Sequence, residues 1–436
     1  MGHGRLYMYG RMCFNGRMAL TVQAILQEHF EAFARTHPLA PYQLDAARQL
    51  RDCRTAAMGG HWRSCPEGHV HTPHYNSCHH RSCPLCAALA RERWLDDWKT
   101  RLLDCPHSHS TLTTPQDLIP LWRYNKKLFA DLLFHAGTDT LRELLADAKY
   151  LGALPGLLAG LHTWGQQEQI HIHLHVLITW GGLNADGQWV EPKRRCLLPR
   201  KVLMEKFRGK FLAYLRKALD KTQLVRPPDL SEAQAQSLLN RLGRVVWNVK
   251  IFDPYEHGRG VATYLARYLK GGPLSNGRLV DCRDGVVRFW YCDNRDLDET
   301  EGRGRRKILR LPVDEFLSRL LEHVPPPGLQ TVRPYGLYAS SKRPQRAVAR
   351  AQWRQEAEPA ERPKLSWCEL CERLGIEVQQ VCPVCGAPLV AHGRFPRGRY
   401  SRLDHPSPPS PPPPPPLPPR DEEPEPLAQP PPRQAA

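Results

Sequence analysis

The sequence lacks a long apolar run, a secretory leader and a phosphate-binding loop. No stretch of about 18 consecutive apolar residues occurs, which excludes a transmembrane helix. The N-terminal residues do not show the charged, apolar and small-residue order of a signal peptide. A P-loop nucleotide site is also excluded, because no Gly-x-x-x-x-Gly-Lys-Ser/Thr pattern is present. We therefore expect a cytoplasmic protein with no membrane partner.

An excess of basic residues is the main compositional feature. The 436 residues include 61 Lys plus Arg against 44 Asp plus Glu, a formal charge of +17. This excess favours a polyanionic partner, because Lys and Arg neutralise phosphates and release counterions. The charge alone does not distinguish DNA from RNA or from an anionic lipid surface. The length predicts two or three domains of about 150 residues each.

Cysteine usage indicates thiols or metal ligands. Eight of the 14 cysteines lie in two short clusters. A disulfide framework is typical of small secreted domains, and this chain is long and has no leader pattern. We expect the six scattered cysteines to be ordinary buried thiols. These are Cys13, Cys53, Cys105, Cys196, Cys282 and Cys292.

The first cysteine cluster predicts a zinc site between residues 65 and 86. Cys83-Pro-Leu-Cys86 has the spacing of a zinc knuckle, in which two thiolates on a tight turn share one tetrahedral ion. The upstream candidates for the other two ligands are Cys65, His69, His71 and Cys78. We favour Cys65 and His69, and Cys78 is the alternative to His69.

The second cluster predicts a zinc ribbon near the C-terminus. Cys368-x-x-Cys371 is followed by Cys382-Pro-Val-Cys385. Two such pairs can supply four thiolates to one structural Zn²⁺.

An apolar strand with three histidines is the most informative segment. Residues 170–180 read IHIHLHVLITW, and their alternation predicts a β-strand. Strand side chains alternate between faces, so His171, His173 and His175 share one face. Their spacing allows imidazoles to converge on one divalent cation. The alternative is a solvent-facing strip on a half-exposed strand.

A later segment, residues 260–268, places two tyrosines on one helix face. Tyr264 and Tyr268 are four residues apart, with Arg267 beside them and Lys270 following. A phenol near phosphate-binding cations can attack a phosphodiester and form a phosphotyrosine. Two tyrosines at this spacing are also common in packing, so the pair needs support from other motifs.

Four motifs in a fixed order carry a family resemblance between about residues 21 and 340. They are YNSCHHRSCPLC, HIHLHVLITWGGL, YLARYLKGG and LPVDEFLSRLLEHVPPPGLQTVRPYGLY. In this order the chain resembles the rolling-circle transposases of the insertion sequence 91 family, which belong to the two-tyrosine HUH single-strand endonuclease superfamily. The resemblance implies an α+β fold with a central antiparallel HUH sheet flanked by helices, an N-terminal zinc-binding module and a C-terminal zinc ribbon.

The resemblance also implies metal sites. His173 and His175 match the HUH motif, with His171 as an accessory ligand and Gln166 or Gln167 as a guess for the third. The working metal would be Mg²⁺ or Mn²⁺, although imidazoles suit transition metals better. Zn²⁺ would be structural, at one or two sites.

The zinc module departs from the family at one position. Gly68 stands where the family usually has a second cysteine, and His69 beside it is the expected substitute.

The implied reaction is the cleavage of single-stranded DNA at transposon ends and its transfer to a target. Tyr264 and Tyr268 match the family's nucleophiles, and the intermediate would be a 5′-phosphotyrosine. Arg81, Arg267 and Lys270 are the candidates for phosphate contacts. The protein would be bacterial and nucleoid-associated when acting. The alternatives are a plasmid relaxase or replication initiator of the same superfamily and a non-catalytic zinc-dependent nucleic-acid-binding protein.

Composition, periodicity and the family resemblance together divide the chain into five parts. The last is proline-rich, with 16 of the 42 prolines after residue 405, and cannot build a core. The parts are a disordered extension (1–20), a helical zinc-binding domain (21–104), an HUH nuclease domain (105–345), a linker with the zinc ribbon (346–395) and a disordered tail (396–436). Further predicted strands cover 109–114, 244–252, 286–292 and 305–311. Predicted helices cover 20–33, 42–51, 87–103, 121–151, 203–220, 231–242, 261–270 and 313–323.

Overall fold

The computed structural model describes residues 20–193, 196–256, 272–297, 304–359, 365–374 and 380–398, and the backbone of short strands at 6–7, 13–14, 17–18 and 376–377. Its helices are α1 (Val22–Thr36), α2 (Pro41–Asp52), α3 (Pro84–Arg101), α4 (Ile119–Tyr124), α5 (Lys126–Ala146), α6 (Arg200–Asp220), α7 (Glu232–Leu242), α8 (Val313–Glu322), α9 (Arg343–Gln352) and α10 (Trp367–Arg373). Within these described ranges, no helix is long and apolar enough to cross a bilayer.

The strands form several separate sheets. They are β1 (Leu6–Tyr7), β2 (Cys13–Phe14), β3 (Arg17–Met18), β4 (Gly60–Ser64), β5 (His71–Tyr75), β6 (His107–Thr113), β7 (Gly156–Trp164), β8 (Ile170–Thr179), β9 (Gly182–Leu183), β10 (Trp189–Val190), β11 (Val249–Ile251), β12 (Leu279–Arg283), β13 (Val286–Leu297), β14 (Gly304–Pro312), β15 (Val332–Gly336), β16 (Ile376–Glu377) and β17 (Val390–Phe395).

A five-stranded antiparallel sheet lies at the centre, in the order β11-β6-β8-β7-β15. Helices α5 and α6 cover one face, where Ile172 and Leu174 of β8 join Phe129 and Phe211 in the largest core. Helix α5 approaches the sheet closely at Gly137, where an added Cβ would lie 2.9 Å from Leu174 Cδ1. The predicted α+β fold with a central antiparallel sheet is confirmed.

The opposite face of this sheet carries a smaller core and the histidines. Leu158 of β7 and Leu177 of β8 pack there with Trp98 of α3 and with Tyr338. Because Leu177 and the β8 histidines occupy alternate positions of the strand, they share this face. The histidine face is therefore enclosed by protein at one end of the strand.

A second core joins segments that are distant in the chain. Helices α1 and α2 pack against α8 and the β12-β13-β14 sheet, and the side chains include Phe30, Phe33, Phe289 and Phe316. Cys53, Cys78, Cys83 and Cys86 belong to the same cluster. This core combines residues from both sides of the expected domain boundary at 104.

A third sheet joins the two ends of the described chain, in the order β17-β4-β5. Strand β17 pairs antiparallel with β4, from Val390 opposite Ser64 to Phe395 opposite Gly60. The C-terminal segment thus completes a sheet whose other strands lie in the N-terminal zinc-binding region.

Most predicted elements in the described ranges agree with the structure to within a few residues. The strand predicted over 244–252 is an exception, because only Val249–Ile251 is a strand. Val246 is 77% exposed, and Trp247 is buried with its indole N–H donating to the carbonyl of Leu242. The helix predicted over 261–270 and the tail after residue 398 lie outside the described residues, as does most of the extension 1–20.

Candidate functional site

Three histidines converge on the central sheet. His173 and His175 lie on β8, and His162 lies directly opposite His173 on β7. One nitrogen of each imidazole lies within 4.8 Å of the others, and His173 Nε2 is 3.0 Å from His175 Nε2. All three side chains are buried. The alternative of a solvent-facing strip is therefore wrong.

The second nitrogens of the β8 histidines are also occupied. His173 Nδ1 is 2.8 Å from the carbonyl oxygen of His171, and His175 Nδ1 is 2.8 Å from His109 Nε2. A carbonyl only accepts, so His173 Nδ1 carries the proton and Nε2 presents a lone pair. Such outer contacts orient metal-binding imidazoles. The donor set therefore fits a divalent cation between the Nε2 atoms.

The protonation state of the group also suits metal binding. Burial lowers the pKa of His173 to about 3 and that of His109 to about 4, and it holds the pKa of His175 well below its ordinary value. The neighbouring imidazoles lower the pKa values of His173 and His175 further. His109, His173 and His175 are therefore neutral near pH 7, which is the form that binds a metal.

The residues expected as the accessory and third ligands are His171 and either Gln166 or Gln167. His171 contributes its backbone carbonyl, and its side chain is outside the His162–His173–His175 group. Gln166 and Gln167, the guesses for the third ligand, lie on the β7–β8 turn. Their carbonyl oxygens accept hydrogen bonds from Arg278 and Arg319. His162 was missed, although it stands alone as an imidazole in the apolar segment GLLAGLHTW.

The predicted nucleophiles Tyr264 and Tyr268 lie outside the described residues, as do Arg267 and Lys270. The chain on either side of them is described. After β11, the ring of Phe252 stacks on His109 with centroids 5.1 Å apart.

The chain resumes at Gly272 beside the zinc-binding region. An added Cβ at Gly272 would lie 2.7 Å from the carbonyl oxygen of Ser82. Gly272 lines a cavity together with Arg81, Trp164 and His323. Arg81 is partly buried there, and burial lowers the pKa of its guanidinium. The rings of Trp164 and His162 are 4.3 Å apart, so this cavity adjoins the histidines.

The zinc ligands group differently from the prediction. Four buried cysteines, Cys53, Cys78, Cys83 and Cys86, have their Sγ atoms within 4.8 Å of one another. Cys86 Sγ lies 3.6 Å from Cys53 Sγ and 3.7 Å from Cys78 Sγ. The end of α2 supplies Cys53, which we had expected to be an ordinary thiol. Four thiols on tight turns fit structural Zn²⁺.

The two ligands that we favoured for this first site lie elsewhere. Cys65 and His69 lie with Cys382 and Cys385 in a separate group. The end of β4 carries Cys65 away from the Cys83 turn and towards the C-terminal segment, which explains the correction.

The predicted four-thiolate ribbon is also corrected. Cys368 is exposed on α10, and its sulfur accepts a hydrogen bond from the Gln380 amide at 3.2 Å. Cys371 is buried on the same helix, which contacts α3. Neither residue belongs to a metal-binding group of the described residues.

Comparison with known proteins matches two parts of the chain to family models. Residues 25–114 match a family described as a transposase zinc-binding domain, and residues 156–346 match one described as a putative transposase. No solved structure matches the chain.

Two curated relatives cover most of the chain. A putative transposase, y4qJ, of Sinorhizobium fredii is 37% identical over 332 residues, which are 74% of this chain and 82% of the relative. The transposase for insertion sequence element IS801 of Pseudomonas savastanoi pv. phaseolicola is 29% identical over 362 residues, 81% of this chain and 84% of the relative. With a zinc-binding domain ahead of a transposase domain and relatives that cover most of its length, this chain belongs to the insertion sequence 91 family of transposases.

Proposed function

We propose that this transposase cuts and rejoins single-stranded DNA at the ends of its element through a 5′-phosphotyrosine. We further propose that His162, His173 and His175 hold the divalent cation, Mg²⁺ or Mn²⁺, that the reaction uses. The observation that carries the proposal is the convergence of three buried imidazoles on one face of the central sheet. Burying three polar imidazoles together costs free energy unless their nitrogens have partners, and a bound cation would be such a partner.

The proposed chemistry exchanges one phosphodiester for another. The phenolic oxygen of Tyr264 or Tyr268 attacks the phosphorus and loses its proton. The bond from phosphorus to the 3′ oxygen breaks, and that oxygen takes up a proton to become a free 3′-hydroxyl. The 5′-phosphate stays on the phenol, which preserves the energy of the broken bond. Attack by a 3′-hydroxyl then reverses the step and rejoins DNA, and a second tyrosine allows transfer to the target.

A bound divalent cation polarises the scissile phosphate and stabilises the charge that develops on it. The protein's own contribution is orientation. The His171 carbonyl and the His109 ring fix the planes of His173 and His175, so that their Nε2 atoms face each other. Because these rings are buried, water competes less with them for the cation.

The course of the chain supports the role of the tyrosines. The segment that contains Tyr264 and Tyr268 begins a few residues after Phe252, which stacks on His109. It ends just before Gly272, which shares a cavity with Trp164. Phe252 and Gly272, described residues on either side of this segment, therefore both lie near the histidines. Arg81 lines the same cavity, which supports the proposal that it contacts phosphate together with Arg267 and Lys270.

The test is a covalent adduct assay. We expect the protein, single-stranded DNA from the element boundary and Mn²⁺ to give a species that survives denaturation. Tyr264→Phe and Tyr268→Phe, separately and combined, identify the phenol that attacks first. The double variant and His173→Ala should form no adduct, whereas His171→Ala should form it normally. An adduct in the double variant would overturn the assignment of the nucleophiles. If the native protein formed no adduct, the alternative of a non-catalytic, zinc-dependent DNA-binding protein would be favoured.

A further inference from the structure

We propose that Cys65, His69, Cys382 and Cys385 bind a second structural Zn²⁺, and that this ion fastens the C-terminal segment to the N-terminal zinc-binding domain. The four ligand atoms lie within 4.8 Å of one another. Cys65 Sγ is 3.5 Å from Cys385 Sγ and 3.6 Å from His69 Nδ1. These separations suit a tetrahedral ion with metal–sulfur bonds of about 2.3 Å.

The two halves of the proposed site have similar backbone turns. Each begins with Cys-Pro, at Cys65 and at Cys382. The Cys65 N–H donates to the carbonyl of Val70 at 2.8 Å, and the Cys382 N–H donates to the carbonyl of Ala387, also at 2.8 Å. In both turns the hydrogen bond spans five residues. The Val384 N–H also points at Cys382 Sγ, at 3.4 Å.

The position of glycine in each turn explains the mixed ligand set. In the C-terminal turn the second ligand is Cys385, and the glycine with positive φ follows it at Gly386 (φ 74°). In the N-terminal turn Gly68 takes up positive φ one position earlier (φ 77°), so the next residue, His69, supplies the ligand. Glycine adopts this conformation without the steric cost that a side chain would add. A longer imidazole from the later position reaches the same centre as a thiol from the earlier one.

Besides the backbone ladder, two side chains hold β17 to β4: His392 Nε2 lies 2.5 Å from Ser64 Oγ, and the rings of Phe395 and Trp62 are 5.8 Å apart. All side chains of β17 except Phe395 are exposed. Among the described residues, the hydrophobic cluster at the site consists of Cys65, Cys382 and Leu389, with Val70 and Ala387 packed against it. A cluster this small does not offset the entropy of ordering a strand, whereas a structural zinc contributes folding free energy directly. The ion would therefore determine whether the C-terminal strand is attached.

The first test is the zinc content of purified full-length protein. We expect two Zn²⁺ per native chain by elemental analysis. The combined variant Cys382→Ser/Cys385→Ser should hold one, because the Cys53–Cys78–Cys83–Cys86 group is intact. The matched control, Cys368→Ser on α10, should still hold two. A single Zn²⁺ in the native protein, or loss of one in the control, would overturn the proposal, as would a Cys65–Cys385 disulfide in protein purified under reducing conditions.

A second measurement does not depend on the fold of a weakened variant. His69→Cys should keep two metal ions per chain, and the visible absorption of its Co²⁺ form should move to longer wavelength as a thiolate replaces the imidazole. An unchanged spectrum would show that His69 is not a ligand.

Limited proteolysis tests whether the ion holds the C-terminal segment to the N-terminal zinc-binding domain. Residues 380–398 should be protected in the native protein and cleaved in Cys382→Ser/Cys385→Ser, while the rest of the chain stays resistant; equal cleavage in both would contradict the proposal.

Discussion

The imidazoles of His173 and His175 on β8 differ in the group that their Nδ1 atom contacts. His173 is held by a backbone carbonyl, and His175 is held by the ring of His109. His171 supplies the carbonyl but stands outside the converging group. Neighbouring histidines on one strand face thus have separate roles.

The first prediction separates a ligand from its neighbour. His162→Ala should weaken Mn²⁺ binding at least 10-fold, because it removes one of the three converging nitrogens, while His171→Ala should leave it within about two-fold because the carbonyl is unchanged. Mn²⁺ titration followed by electron paramagnetic resonance measures both. Equal losses in the two variants would contradict the assignment of His162.

The second prediction concerns His109, which acts through His175. His109→Ala should lower Mn²⁺ affinity by about 10–100-fold, the usual effect of losing an outer hydrogen-bond partner. His109→Gln keeps a polar group and should recover part of this loss. Calorimetric titration gives the affinities, and circular dichroism checks that the fold is retained. Native affinity in His109→Ala would show that His109 only fills space.

At the scale of elements, a hydrogen bond from Arg278 to Glu168 joins the β7–β8 turn to the residue that precedes β12. Glu168 is 2% exposed, has positive φ (59°) and bonds Arg278 at 2.6 Å. Burial raises the pKa of Glu168 to about 8, and the Arg278 and Arg319 guanidiniums offset this only in part. The turn therefore holds a carboxyl that favours its protonated form.

The third prediction follows from this raised pKa. Between about pH 4.5 and pH 8 the folded protein keeps a proton that the unfolded chain releases, so its stability falls as the pH rises through this range. The slope can reach about 1.4 kcal/mol per pH unit. Glu168→Gln, which resembles the protonated form, should lack this component in urea unfolding at pH 5.5 to 8.5. Identical slopes in the two proteins would contradict the raised pKa.

Some secondary-structure elements could be predicted from the sequence more accurately than others. The alternation of β8 was readable because its two faces have opposite chemistry, with imidazoles on one and Ile172 and Leu174 on the other. The segment before β11 was misjudged, because its β-branched residues resemble a strand while Trp247 instead packs into the helical core. Tertiary packing, and not local strand propensity, determined the conformation of that segment.

At the scale of the molecule, basic and aromatic side chains line one cavity on the zinc-binding region. Arg54 and Arg93 line a cavity of about 460 Å³ together with the aromatic rings of Tyr75 and Trp367. Cationic groups beside aromatic rings are typical of single-stranded nucleic-acid binding.

The fourth prediction uses salt dependence. If the exposed Arg93 on α3 contacts one phosphate, Arg93→Ala should reduce the slope of log affinity against log salt by about 0.7 for single-stranded DNA. Arg226→Ala is the matched control, because Arg226 is exposed between α6 and α7, the helices on the other face of the central sheet. Fluorescence anisotropy at several salt concentrations measures both slopes. An equal change in the two variants would show that Arg93 contributes only to the overall charge.

The grouping of metal ligands was the least predictable feature. Spacing identified Cys83 and Cys86 as a pair, as well as Cys382 and Cys385, because each pair lies on one tight turn. It did not show which pairs meet, since Cys65 and Cys382 are brought together by strands far apart in the chain. The local Cys-x-x-Cys spacing identifies a metal-binding turn. Which other ligands complete the site depends on the path of the whole backbone.

The partnership of β17 with β4 bears on how the protein is made. During synthesis β4 leaves the ribosome hundreds of residues before its neighbour, so one edge of the early domain stays uncovered until β17 has been made. An open edge is a template for association with other chains. A prematurely terminated copy that lacks β17 would retain this edge permanently, and we expect such fragments to aggregate rather than to compete with the full-length transposase for DNA.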